Sequence, residues 1–109
     1  MTASQFRMLA LSLPEAVESS HQNHPDFRVR GKIFATLGPD EDWGMVKLTP
    51  DVQAELMAES DLFQPASGAW GRGGATIITL RGARAAIVKR ALLSAWKNTA
   101  PKSLLNADE

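Results

Sequence analysis

The 109-residue sequence contains no cysteine. Without a thiol there is no disulfide, no thiolate metal site, no iron–sulfur cluster and no cysteine nucleophile, and the composition fits a reducing compartment. Nor is there an apolar run near the roughly 18 residues that a bilayer span needs. The start, Met1 to Ala16, carries one basic residue, Arg7, amid spaced apolar residues that end at Pro14, which reads as a helix and not as a signal peptide. A cytoplasmic protein with no membrane partner is expected. Finally, there is no acidic residue between Leu62 and Ala107. The charges in that stretch are Arg72, Arg81, Arg84, Lys89, Arg90, Lys97 and Lys102, all positive; acids return only at Asp108 and Glu109.

What is present suffices for one globular domain spanning residues 1–109. The hydrophobic fraction is 44%, enough for a core without staples. Twelve basic and twelve acidic residues give zero net charge, so bulk charge does not make the chain a polyanion binder. The uneven distribution still points to an anionic partner. The competing explanation is ordinary: Arg81, Arg84, Lys89, Arg90 and Lys97 are the wet side of an amphipathic helix and its approach.

Periodicity places the elements. Phe6, Leu9, Ala10 and Leu13 mark one face of a helix from Ala3 to Ser12, capped by Thr2 or Ser4 and stopped by Pro14. Val17 to Gln22 is ambiguous between loop and edge strand. His24-Pro25-Asp26 reads as a turn, because proline fixes φ and restricts the residue before it. Phe27–Arg30 and Lys32–Leu37 read as a hairpin, preferred over one bulged strand. Trp43 to Leu48 is a further strand. Thr49-Pro50-Asp51 opens a helix to about Glu59, with a threonine cap, proline in the first turn and an early acid. A glycine-rich segment, Phe63 to Gly74, precedes the β-branched strand Ala75–Leu80. Ala83 to Asn98 is the last helix, with Ile87, Val88, Ala91, Leu92, Ala95 and Trp96 on one face. The expected class is α+β: an antiparallel sheet with helices packed on one face, in the order α-β-β-β-α-β-β-α.

Chemistry-bearing patterns are sparse. His21, His24 and Asp26 lack the helical spacing of a zinc pair and any further ligand, so no metal or cofactor is expected. Gly71-Arg72-Gly73-Gly74 has backbone amides that suit a phosphate, but neither the Walker nor the GxGxxG spacing; a turn between strands explains it as well. Asp40, Glu41 and Asp42 share a turn, where solvated carboxylates are poorly tuned for proton transfer. No nucleophile elbow or triad signature occurs, and the expectation is a non-enzymatic protein. Arg28 and Arg30, two apart on a strand, with Lys32, Lys47 and Arg72 beside Trp70, form a candidate phosphate-contacting surface, since arginine forks match phosphate oxygens. The alternative for the arginines is a solvated sheet face with Glu15, Glu18 and Asp51 as partners.

Several separated motifs resemble the MmcQ/YjbR family. They are Leu11-Ser12-Leu13-Pro14-Glu15-Ala16, the run from His24 to Leu37, Gly68-Ala69-Trp70-Gly71-Arg72-Gly73-Gly74, then Ala95-Trp96 and Ala100-Pro101-Lys102. The resemblance implies a fold like that of frataxin (the CyaY-like class), and DNA binding through a double-wing arrangement of strands. The family's usual motif has an aromatic after the Gly-Arg-x-Gly turn, where this chain has Ala75. Iron binding does not carry over, because Thr2 to Leu13 contains no acid. The reading is therefore a monomer that binds double-stranded DNA with low sequence specificity. Arg28, Arg30, Lys32, Lys47 and Arg72 would contact phosphates, and Trp70 would pack on sugar or base. The alternative is a small-molecule or protein-binding module in which Trp43, Trp70 and Phe34 line an aromatic patch.

Overall fold

Two tight turns of left-handed backbone organise the first half of the chain. Gln22 and Asn23 (φ 49° and 67°) and Arg30 and Gly31 (φ 51° and 83°) each supply two consecutive positive φ values, the geometry of two-residue hairpin loops that suits strand twist. The first joins β1 (Ala16–His21) to β2 (His24–Val29), and the second joins β2 to β3 (Lys32–Leu37). The segment Val17–Gln22 is thus a strand almost throughout, and His24-Pro25-Asp26 belongs to its partner, not to a turn. Pro25 is tolerated inside β2, next to the edge strand β1, with Ser20 opposite.

The computed structural model describes residues 1–106; the acidic pair Asp108 and Glu109 lies outside the described residues. The remaining elements are α1 (Ala3–Leu11), β4 (Trp43–Lys47), α2 (Pro50–Glu59), β5 (Phe63–Pro65), α3 (Gly68–Arg72), β6 (Ala75–Thr79), α4 (Ala85–Thr99) and α5 (Lys102–Asn106). The six strands pair antiparallel in the order β1-β2-β3-β4-β6-β5. The α+β class and the antiparallel sheet stand as expected; the additions are β1 and the short helices α3 and α5.

Register decides which side chains share a face, because directly opposed residues point the same way. Phe27, Ala35, Val46 and Thr76 form one such row, and Leu37, Gly44, Ile78 and Phe63 the next; all are buried. Helices cover this face. Val88, Ala91, Leu92, Ala95 and Trp96 of α4 and Phe6 and Ala10 of α1 join its core. The Phe6 ring takes the room a Cβ on Gly44 would need, 2.8 Å away. Trp96 Nε1–H donates to the Pro14 carbonyl (3.0 Å) and locks the exit of α1 to α4.

The opposite face carries the row Asp26, Thr36, Met45, Ile77 and Gln64, with Trp43 and Lys47 flanking it on β4. Trp43 and Met45 therefore share the outer face with Lys47, while Gly44, Val46 and Leu48 point inward. On β3 the alternation breaks. Phe27 pairs with Ala35 and the next residue, Arg28, with Ile33, so Phe34 is the extra residue of a bulge. The hairpin and the bulge both exist. The bulge shifts parity, and Phe34 sinks fully into the core.

The glycine-rich stretch is a helix and a clamp. Gln53 of α2, itself buried, donates its side-chain amide to Gly71 O (3.0 Å), Ala75 O (3.2 Å) and Thr76 Oγ1 (3.0 Å), tying α2 to α3 and β6. Gly74 has φ 115°, and a Cβ there would lie 1.9 Å from Leu48 O. Only glycine allows this approach of α3's exit to the end of β4. Gly74→Ala is accordingly expected to lower the unfolding free energy by about 3 kcal/mol, combining backbone strain with a steric clash. Urea denaturation checks this; an unchanged midpoint would contradict the assigned geometry.

Candidate nucleic-acid interface

One end of the sheet gathers the relevant side chains. The β2–β3 turn, the last residue of β4 and the C-terminus of α4 enclose an open groove of about 500 Å³. Arg28, Lys32 and Lys47 line it, with Ile33, Asn98 and Thr99, and no carboxylate does. Asn98 Nδ2 donates to the Lys47 carbonyl (2.9 Å) and fixes the α4 end to β4. A second groove of about 390 Å³ shares Lys47 and Asn98 with the first and continues to Trp70, Ala69 and Gly73 of the α3 segment. The Lys47 ammonium sits 5.9 Å from the Trp70 ring centroid, a cation–π contact. Trp70 is nevertheless 69% exposed, an unusual state for so large an apolar ring.

Arg28 is held from beneath. Asp26 and Arg28 are two apart on β2 and share the outer face. Arg28 Nε donates to Asp26 Oδ1 (2.8 Å) and Nη2 to Oδ2 (3.0 Å), a two-point fork. His21, on β1, shares a 2.8 Å hydrogen bond between Nδ1 and Asp26 Oδ2. Asp26 is wholly buried under these two partners. His21 stacks on His24 with centroids 5.7 Å apart, and His24 meets the edge of Trp43 at 6.2 Å. The Arg28 hydrogen bonds hold the Asp26 carboxyl below its ordinary value against burial, which pushes it up, and His21 adds to the lowering. The same pair raises the Arg28 guanidinium. Among the described residues no group of three or more His, Asp or Glu side chains is arranged to hold a metal ion.

The six residues singled out from the sequence divide. Arg28, Lys32 and Lys47 converge on one groove, and Lys47 links them to Trp70. Arg30 does not join them. Its backbone is in the left-handed region of the hairpin turn, and its guanidinium forks onto Glu15 (2.6 and 3.0 Å), one of the three acids offered as partners in the solvated-face reading. Arg72, in the last turn of α3, lines neither groove. The aromatic patch of the alternative reading does not assemble: Phe34 is core, and Trp43 lines a separate outer-face groove with Pro65 and Ile77. The glycine-rich segment offers no amide cradle either, since the N–H groups of Gly73 and Gly74 donate to Ala69 O and Gly71 O. Arg90, assigned to the wet side of its helix, is paired there with Glu59 (2.7 and 3.1 Å).

Asp26, Asn98 and Thr99 are the contributors that sequence reasoning passed over. Asp26 was legible in principle, because Asp and Arg at i and i+2 of a strand share a face and can meet. Reading Pro25 as a turn residue concealed it. Nothing in the local sequence marks Asn98 and Thr99, which arrive through the docking of α4.

The fold and this sheet-end site define a small α+β protein with a six-stranded antiparallel sheet backed by helices. The YjbR family model matches residues 11–98, and the chain belongs to the YjbR family. Among solved structures it is similar to the crystal structure of Deinococcus radiodurans protein DR2400, described as a DUF419 domain. The two are 19% identical over 87% of this chain and 75% of that one, with a TM-score of 0.71, which is a likeness of fold. No curated protein matches the chain. No helix among the described residues is long and apolar enough to cross a membrane.

The Asp26 pair has a pH signature. Its folded-state pKa is depressed, so its contribution to stability is complete above the ordinary carboxylate value and is lost as pH falls through the folded value. Urea midpoints of the wild type should therefore fall below about pH 4 more steeply than those of Asp26→Asn, which has no proton to take up there. Parallel pH profiles for the two proteins would show that the pair carries no such stability.

Proposed function

We propose that this chain is a non-enzymatic cytoplasmic protein that binds the nucleic-acid backbone with low sequence specificity. The observation that carries the reading is the groove lined by Arg28, Lys32 and Lys47 and by no acid. Asp26 neutralises part of the Arg28 charge but also freezes its fork; Lys32 and Lys47 have no ion-pair partner among the described residues. Phosphate contacts of this kind position a strand without reading its sequence. The family resemblance to DNA-binding proteins agrees with this reading by analogy of fold alone. Arg30, bound to Glu15, and Arg72, which lines neither groove, are not principal contacts in this reading.

A second reading, a small-molecule or peptide site, is favoured by one observation. The outer-face groove beside Trp43 has a volume of about 590 Å³ and is lined by Pro65 and Ile77 but by no cation. It suits an apolar ligand and not a phosphate chain.

Fluorescence-anisotropy titration of a DNA oligonucleotide at several salt concentrations tests the first reading. Three phosphate contacts predict a log–log salt slope of about 2.7 on duplex, at about 0.9 per contact. Lys32→Ala with Lys47→Ala should lower affinity and remove about 1.8 from that slope, while Arg30→Ala, already committed to Glu15, should leave both nearly unchanged. Absence of binding at low salt would overturn the proposal.

A further inference from the structure

We infer that the ligand of this sheet end is an unpaired nucleotide, a phosphate with a free base face, and not a base-paired duplex. This rests on the nucleic-acid reading above and specifies the substrate class of the same site. The two grooves differ in kind and meet at one side chain. The Arg28, Lys32 and Lys47 groove is cationic: the buried Asp26 takes the Nε–Nη2 edge of Arg28 and holds the guanidinium in place, which leaves Nη1 and the two ammonium groups for phosphate oxygens. The adjoining groove is mainly apolar and ends on the exposed indole of Trp70. Lys47 lines both, with its ammonium at the Trp70 ring. Phosphate and base are adjacent in a nucleotide in the same way that these two grooves are adjacent here.

An indole stacks readily on a base only when that base is out of its pair. In a duplex both faces of each base are already covered by neighbours, whereas a single strand offers a free π-face at each step. Trp70 is also poorly explained by folding. The Gln53 and Gly74 contacts position α3 through its backbone, and the ring itself leaves most of its surface in water. Ala75, beside this groove and buried, is small enough to leave the indole as the main wall. The duplex wings expected from family resemblance would use Arg30 at the hairpin tip, and Arg30 is turned onto Glu15.

The shared chemistry has two sources, an unpaired stretch of a strand or a free nucleotide, and the test separates them. The intact chain is titrated with a short oligothymidylate, with a hairpin duplex of equal length and with uridine monophosphate, following tryptophan emission and anisotropy. The oligothymidylate should bind more tightly than the duplex and quench emission. Trp70→Ala should weaken oligothymidylate binding about tenfold or more while leaving duplex binding nearly unchanged, and Trp70→Phe should restore most of the loss. Trp70 is exposed, so neither variant should disturb the fold, and urea denaturation verifies this. Quenching by uridine monophosphate at similar affinity assigns the site to the free nucleotide; quenching by the oligonucleotide alone assigns it to a strand. Equal binding of single strand and duplex, both indifferent to Trp70→Ala, overturns this inference and leaves the backbone-binding proposal intact. Failure of all three probes at low salt overturns both.

Discussion

A buried carboxylate cannot be left unpaired, and Asp26 is the point from which the candidate site is built. Transfer of an isolated carboxylate out of water is strongly unfavourable, and partners must supply the hydrogen bonds that water gave. Here they come from Arg28 on the same strand and His21 on the neighbouring one. The pair therefore does two things. It fastens the exposed strand β1 to the sheet through a side chain as well as through the backbone ladder. It also removes the rotational freedom of Arg28, a residue that lines the groove, by fixing its guanidinium on the carboxylate. Lys32 and Lys47 bring charge to that groove; Asp26 brings order.

Parity is the second constraint. A β-sheet has two faces, and a one-residue change of phase exchanges them. The bulge at Phe34 makes such a change near the hairpin. Upstream of it Ile33 lies opposite Arg28; downstream Ala35 and Leu37 face the helices. Phe34 itself enters the core, which is why the aromatic patch expected of Trp43, Trp70 and Phe34 does not form. On β4 the same rule turns Trp43, Met45 and Lys47 outward together and leaves Gly44 as the opening into which the Phe6 ring fits.

Charge sorting along the chain does not by itself build the groove. Of the cations beyond Leu62, Arg90 is answered by Glu59 of the first half; Arg30 is answered within the first half, by Glu15. The basic stretch from Leu62 onward contributes little to the groove, which is built from Arg28, Lys32 and Lys47. What the second half contributes instead is shape: α3 presents Trp70, and the end of α4 contributes Asn98 and Thr99 to the wall.

The amino-acid order determined the elements that rest on local signals. The Thr2 and Thr49 caps, Pro50 in the first turn of its helix, the apolar stripe of α4 and the β-branched run of β6 are each decided within a few residues, and each stands where periodicity put it. The family motifs, spread through the chain, were equally legible. Only tertiary structure decided which cations meet. Whether Arg28 faces Asp26 or solvent depends on Pro25 being accommodated next to an edge strand. The loss of Arg30 to Glu15 depends on the pairing of β1 with β2, which sets Ala16 opposite Val29 and so brings the left-handed residues Glu15 and Arg30 (φ 57° and 51°) together. The joining of Lys47 to Trp70 depends on Gly74 touching Leu48 across 26 residues. Local propensity acts over one turn of helix or one strand, whereas a site assembled from three strands and two helices is fixed by register and packing between segments that do not sense one another until the chain has folded.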